Sequence, residues 1–388
     1  MKQVIESIEL TPIFVPFKKK VLEMMQSGQG GLGMAIPAEE EWLGGDFVIC
    51  RLILEDGTVG LGEAFVWLPE TGVSTAQIID IIEKGLCKYV LNENPFEIEK
   101  INQRMDNNVA RNEVAKGLLD MACYDLMGKV EGKPACEIIG QHKVDTIPLA
   151  AMVPLSDLDT MKEVALVFKY MKYGTFRIKL GNTIEDDIEI MKELRNLLGP
   201  DANLRVDYNQ AYNVKEAIKA INAIEEFNVD LAEQPVRSDD YLGMAQVQKN
   251  VNIPLMAHEG FFSLRDFFVL AELGAIGVLG MNSERPGGVT KALRALNHAD
   301  KIGMKAVLHN QPLGIATAMH VHLNVAREQS FGYAAELFGD VMLEDDLITK
   351  PIKYRKGMAY LPKGDGWGVM LDMDAMEKYA KGETIIIK

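Results

Sequence analysis

Seven side chains of types that carry chemistry, Lys179, Asp207, Glu233, Glu259, Asn282, His309 and Glu336, recur along the chain at intervals of 28, 26, 26, 23, 27 and 27 residues. Each stands at or near the end of a short apolar run, and the interval suits one strand, one helix and their two loops. Asp207, Glu233 and Glu259 are carboxylates on three consecutive runs. Like charges so close cannot all stay ionised in a low-dielectric pocket without a cation. Three hard oxygen donors favour Mg²⁺, with Mn²⁺ as a substitute. Lys179 on the second run and His309 on the seventh would face one another across a ring of eight, forming an acid/base pair for the two faces of a planar intermediate. Removal of a proton α to a carboxylate needs such a pair, with the metal and Glu336 stabilising the enediolate. Arg177 shares a face with Lys179, and its permanent charge disfavours a second cation beside it. Asn209, on the face of Asp207, is a candidate substrate contact, as are His258 and Asn310. Strict alternation nevertheless leans His258 away from the metal.

The elements that must position these groups are legible as alternating patterns. TIPLAAMV, TFRIKLG, ANLRVDYNQ, VDLAEQPV, IPLMAHEG, GAIGVLGMN, MKAVLHN and YAAELFG read as eight strands, separated by helical stretches such as TIEDDIEIMKELRNLL. Strands alternating with helices imply a parallel sheet, and eight of them imply a closed (β/α)8 barrel with its reaction site at the carboxyl ends of the strands. Before the barrel, FVICRLILEDGTVGLGEA has two β-rich arms around an Asp56-Gly57 turn. ARNEVAKGLLDMACYDLMGKVEG places Val114, Leu118, Met121, Ala122 and Leu126 on one helical face. The expected organisation is an α+β capping domain over residues 1–130, the barrel over 131–352, and a segment over 353–388 that returns to the capping domain. Gly28, Gly30 and Gly33 have a GxGxxG spacing, but Pro37 and an acidic run follow in place of a helix. A glycine-rich loop is expected there, a lid over the pocket being its functional form.

Composition excludes several classes. A net charge of −15 disfavours nucleic acid and anionic membrane as partners. A small anionic substrate is compatible with it, because a divalent cation reverses the field locally. The N-terminal stretch lacks the long apolar region of a secretory signal, and four cysteines without CxxC spacing point to reduced thiols. A cytoplasmic enzyme is expected, forming a homo-oligomer. His320 and His322 lie two apart in a helical stretch, so they point to different faces and read as packing residues.

DGTVGLGEA, LLDMACYDLMGK, RIKLG, RVDYNQ, LAEQPV, AHEG, the Pro286-Gly287-Gly288 turn, LHNQPLGIA and AAELFG together resemble the enolase superfamily, and within it the mandelate racemase subgroup. The resemblance covers nearly the whole chain. It implies Mg²⁺ on Asp207, Glu233 and Glu259, with Lys179 and His309 as bases. It also implies a capping-domain loop near 20–45 that closes over the barrel mouth. Two departures stand out. The subgroup's KxK is Arg177-Ile178-Lys179, and the aspartate that orients the histidine is Asn282. An amide cannot stabilise an imidazolium by charge, so a weaker His309 is expected. One-base chemistry follows: dehydration of an acid sugar or related hydroxy acid to a 2-keto acid, Lys179 taking the α-proton. The alternative is a racemase, epimerase or cycloisomerase using both bases, and a non-catalytic binding protein on the same fold comes last.

Overall fold

The computed structural model describes residues 3–27, 42–282, 284–310 and 312–388. Gly28, Gly30 and Gly33, with most of the expected lid, lie outside the described residues. The chain begins with an antiparallel sheet of β1 (Ile5–Pro16), β2 (Gly44–Leu54) and β3 (Val59–Val66). The turn at Asp56-Gly57 joins β2 to β3, with Gly57 at a φ of 85°. A C-terminal strand, Ile385–Ile387, adds to the outer edge by pairing Ile8 with Ile387.

The helix Glu113–Glu131 departs from its expected one-sided pattern, because it is buried without interruption from Val114 to Gly128. A helix buried all round must have every polar side chain satisfied. Asp120 accepts from Asn102 Nδ2 at 2.7 Å and Thr290 N at 3.0 Å, and Asp125 accepts from Leu61 N at 2.8 Å and Trp367 N at 2.7 Å. The helix lies directly on β3, where a Cβ at Gly60 would come within 2.3 Å of the Ala122 carbonyl oxygen.

Eight parallel strands follow: β4 (Ala150–Val153), β5 (Thr175–Lys179), β6 (Asn203–Asp207), β7 (Val229–Glu233), β8 (Leu255–Ala257), β9 (Val278–Met281), β10 (Lys305–Asn310) and β11 (Glu336–Leu337). They neighbour one another in chain order. The seam between the last and first strands is joined by Ala150 N to Ala335 O at 2.9 Å and Ala335 N to Pro148 O at 2.8 Å. The intervening helices start on side-chain caps, as at Thr183, Asn213 and Ser263, whose oxygens accept from backbone N–H groups in the first turn. Leu231, Met256, Val278 and Val307 form a small apolar cluster of their own. Leu231 and Val307 stand two residues before Glu233 and His309, so alternation stacks the functional layer directly over this one.

The sheet domain is tied to the barrel by buried polar groups. Glu63 on β3 accepts from Leu313 N at 2.7 Å, Ile315 N at 3.1 Å and Ala316 N at 3.0 Å, which caps the helix Gly314–Ala326 from the other domain. His320 and His322 lie buried on that helix. His322 Nδ1 accepts from Cys136 N and its Nε2 donates to Trp367 O, each at 3.0 Å. Among the described residues, no helix is long and apolar enough to cross a membrane.

Candidate active site

Backbone register brings the candidate groups together. Lys179 is paired with Asp207 across β5 and β6, Asp207 with Glu233 across β6 and β7, and His309 with Glu336 across β10 and β11. Adjacent parallel strands at about 4.8 Å hold such side chains within bonding reach. Glu259 stands just beyond β8. It is joined to the others by Asn209, whose Nδ2 donates to Glu259 Oε1 at 3.1 Å. Asn209 adopts a φ of 41°, and its amide nitrogen donates to Asp207 Oδ1 at 3.0 Å.

Arg177 lies buried among three acids. Its Nε donates to Glu233 Oε2 at 2.9 Å and lies 3.1 Å from Glu336 Oε2, while Nη2 reaches Glu233 Oε1 at 2.8 Å and also Asp207. Lys179 Nζ donates to Asp207 Oδ2 at 2.5 Å and to Asn209. Burial raises the Asp207 carboxyl, but Arg177 and Lys179 outweigh it and hold it below the usual range. Burial pushes Glu233 up to about 8, helped by the charges of Asp207 and Glu336 against the pull of Arg177. Glu259 is pushed up to about 7 by burial and by Asp207.

These acids fit a divalent cation. Glu259 Oε2 is buried with no hydrogen-bond partner among the described residues, and two of the three carboxyls resist ionising without further positive charge. A second donor set overlaps this one: Glu233, His258 and His309 each offer an atom within 4.8 Å of the others. Two imidazoles and a carboxylate suit zinc, and such an ion would occupy the candidate base. The all-oxygen set leaves His309 unencumbered.

His309 differs from the expectation in one respect that changes the chemistry. Its Nδ1 is 2.8 Å from Glu336 Oε2. Glu336 also receives Arg205 Nη1 at 3.0 Å, and although burial raises its carboxyl, Arg177, His309 and Arg205 together hold it well below the carboxylate range. Glu336 therefore stands as an anion that accepts from His309 and Arg205. An acceptor at Nδ1 fixes the hydrogen there and leaves the Nε2 lone pair to take a proton. Burial and the charge of Arg177 lower the His309 pKa, with Glu336 opposing them. Asn282 does not stand in for the missing aspartate. Its Oδ1 accepts from Glu284 N at 3.1 Å and Arg285 N at 2.7 Å, so it closes the turn after β9.

The remaining candidates divide. His258 faces the acids after all, with Nδ1 3.7 Å from Glu233 Oε1 and 3.5 Å from Glu259 Oε2, because the chain has left the strand after Ala257. Its ring centroid is 4.1 Å from that of His309. Asn310 Nδ2 donates to Glu284 Oε2 at 2.9 Å, and Glu284 Oε1 accepts from Phe65 N at 2.9 Å, so Asn310 braces the domain junction. Three groups were missed. Arg205, on the same face of β6 as Asp207, carried the period-two signal that singled out Arg177. Glu70 and Arg285 carried none: Arg285 bonds to Glu70 and its Nη2 lies 2.7 Å from His258 Nε2.

An eight-stranded parallel barrel with acids at its carboxyl mouth, capped by an antiparallel sheet domain, defines an enolase-type enzyme. Residues 41–140 match the mandelate racemase/muconate lactonizing enzyme N-terminal domain, and residues 159–375 match the enolase C-terminal domain-like family. The chain belongs to the mandelate racemase/muconate lactonizing enzyme family of the enolase superfamily. It is 32% identical over 310 residues to a hydrophobic dipeptide epimerase of Enterococcus faecalis, covering 77% of this chain and 87% of the relative. It is 26% identical over 340 residues to an N-succinyl-L-Arg/Lys racemase of Bacillus cereus, covering 87% and 91%. The structure of a muconate lactonizing enzyme from Pseudomonas fluorescens, complexed with muconolactone, superposes with a TM-score of 0.89 at 25% identity, covering 98% and 100%. These relatives are isomerases, whereas the residue pattern alone had favoured a dehydratase.

Proposed function

We propose that the protein is a divalent-metal-dependent isomerase of a small carboxylate, a racemase or epimerase in the first place and a cycloisomerase in the second. The His309–Glu336 dyad carries this reading. Dehydration rested on a histidine deprived of its carboxylate, and the carboxylate is supplied from β11. With Lys179 on the second barrel strand and His309 on the seventh, each face of a bound substrate meets a group able to take or return the α-proton. Mg²⁺, or Mn²⁺ in its place, would be held by Asp207, Glu233 and Glu259. When bound it offsets the negative charge that develops on the substrate carboxylate. Arg177 holds Asp207, Glu233 and Glu336 in one layer, and Asn209 positions Lys179 and Glu259. The relatives direct the substrate search to N-acylamino acids and dipeptides, and a homo-oligomer, checked by light scattering, remains part of the proposal.

Proton NMR in deuterated water with Mg²⁺ tests the reaction class. The wild type is expected to exchange the α-proton of both stereoisomers. Lys179→Ala and His309→Asn should each retain exchange of one stereoisomer only. Appearance of a 2-keto acid, with loss of water, would return the assignment to dehydration. A preference for Zn²⁺ over Mg²⁺ would instead favour the Glu233, His258 and His309 donor set.

A further inference from the structure

Asp187 stands apart from the acids of the barrel mouth, in the first turn of the helix Ile184–Leu198, and it is fully buried. Among the described residues it makes no ion pair, its partners being a backbone N–H and a phenol. A carboxylate buried without a cation is costly, and here both oxygens are engaged. Oδ1 accepts from Gly181 N at 2.9 Å, and Oδ2 accepts from Tyr212 OH at 2.7 Å. Gly181 lies two residues beyond Lys179, the last residue of β5, and Tyr212 lies three beyond Asn209, in the loop after β6. Those two loops also touch directly. Gly181 has a φ of 115°, which side-chain-bearing residues rarely adopt, and a Cβ there would come within 2.5 Å of the Ala211 Cβ.

These contacts bear on the base. Lys179 Nζ is held by Asp207 at the end of β6 and by Asn209 in the loop after it. A lysine stem is flexible, so where the amine stands depends on how the end of β5 sits against that loop. Leu180 N donates to Asp207 O at 3.0 Å, which continues the ladder one residue past Lys179. The next N–H, that of Gly181, has left the ladder, and Asp187 is its acceptor. We infer that Asp187 positions Lys179: by tying Gly181 to Tyr212 it fixes the end of β5 against the loop that carries Asn209, and so sets the direction of the amine toward the substrate α-carbon. His309 and Glu336, on β10 and β11, are held by none of these contacts. The effect is therefore confined to one face of the substrate. The inference rests on the assignment of Lys179 and His309 to opposite faces.

Exchange of the α-proton in deuterated water, followed by proton NMR for each stereoisomer separately, tests the inference. The probe is whichever N-succinylamino acid or hydrophobic dipeptide the wild type exchanges fastest, with Mg²⁺ held at saturation so that any loosening of Asp207 is offset. Asp187→Ala should slow the stereoisomer that Lys179→Ala loses by about 10–100-fold, while the other changes by less than about threefold and KM for both stays within about threefold. Asp187→Asn, whose amide oxygen can still accept from Gly181 N, should recover most of the loss. Tyr212→Phe removes only the hydroxyl and makes the same one-sided comparison should Asp187→Ala fail to fold. Equal slowing of both stereoisomers, which general loosening of the barrel would give, overturns the role. So does undiminished exchange in Asp187→Ala, or a deficit in Asp187→Asn as large as in Asp187→Ala. Exchange of both stereoisomers that survives Lys179→Ala overturns the assignment of the base and this role with it. Formation of a 2-keto acid by the wild type would end the isomerase reading alone, since Lys179-dependent proton removal still reports on Asp187.

Discussion

His309 takes its orientation from the strand that follows it, not from the one before. Glu336→Gln removes the charge that supports an imidazolium and leaves Arg205 buried opposite a neutral amide. A kcat lower by about 10²–10⁴-fold is expected, with a loss of stability of about 3–5 kcal/mol from breaking the buried pair; steady-state kinetics and urea unfolding read the two. Asn282→Asp makes the contrasting case. The aspartate would still accept from Glu284 N and Arg285 N, so the pH–rate profile should keep its wild-type inflections. A new or shifted inflection would restore position 282 as the partner of His309. The sequence named the histidine but placed its partner at position 282 and assigned Glu336 to the enediolate. Asn282 lies just past Met281, where the strand gives way to a turn, and a turn side chain is directed by its local backbone rather than by alternation. His258 was misdirected for the same reason.

At the level of elements, the eight strands were legible because parallel barrel strands are short apolar runs at a regular interval. Each expected run contains its observed strand, from Thr175–Lys179 within TFRIKLG to Lys305–Asn310 within MKAVLHN. The burial of the helix Glu113–Glu131 was not legible, since Asp120 and Asp125 look like solvent-facing residues until their partners from distant segments are placed. Close contact between that helix and β3 depends on missing side chains. Gly60→Ala would drive a methyl into the Ala122 carbonyl and should destabilise the protein by about 1–3 kcal/mol or more, measured by thermal unfolding. The helix Gly314–Ala326 offers a pH test. Burial lowers His322 to about 4, below the unfolded value, so between about pH 6.5 and 4 the unfolded chain holds a proton that the folded chain does not. Stability should therefore fall as pH drops through that window, by about 1.4 kcal/mol per unit for this group. His322→Gln, whose amide can serve both Cys136 N and Trp367 O, should reduce the slope by that amount.

For the whole molecule, Glu63 capping a barrel helix, Phe65 N on Glu284, Glu70 on Arg285 and Asp120 on Thr290 all cross between the sheet domain and the barrel. Interfaces held by buried polar groups separate poorly, so calorimetry should show one unfolding transition. Mg²⁺ at 100 times its dissociation constant should raise stability by about 2.7 kcal/mol, and Glu259→Gln should diminish that gain.

Ala335 has a consequence of its own. Its N–H and C=O join the last barrel strand to the first, and the next residue is the partner of His309. A parting of the seam that displaced Glu336 would deprive His309 of its carboxylate while the rest of the barrel stays folded. The deuterium-exchange lifetime of a single amide, that of Ala335, becomes a clock for how long each molecule stays competent between lapses. Conditions that shorten that lifetime should reduce turnover well before the fold is lost.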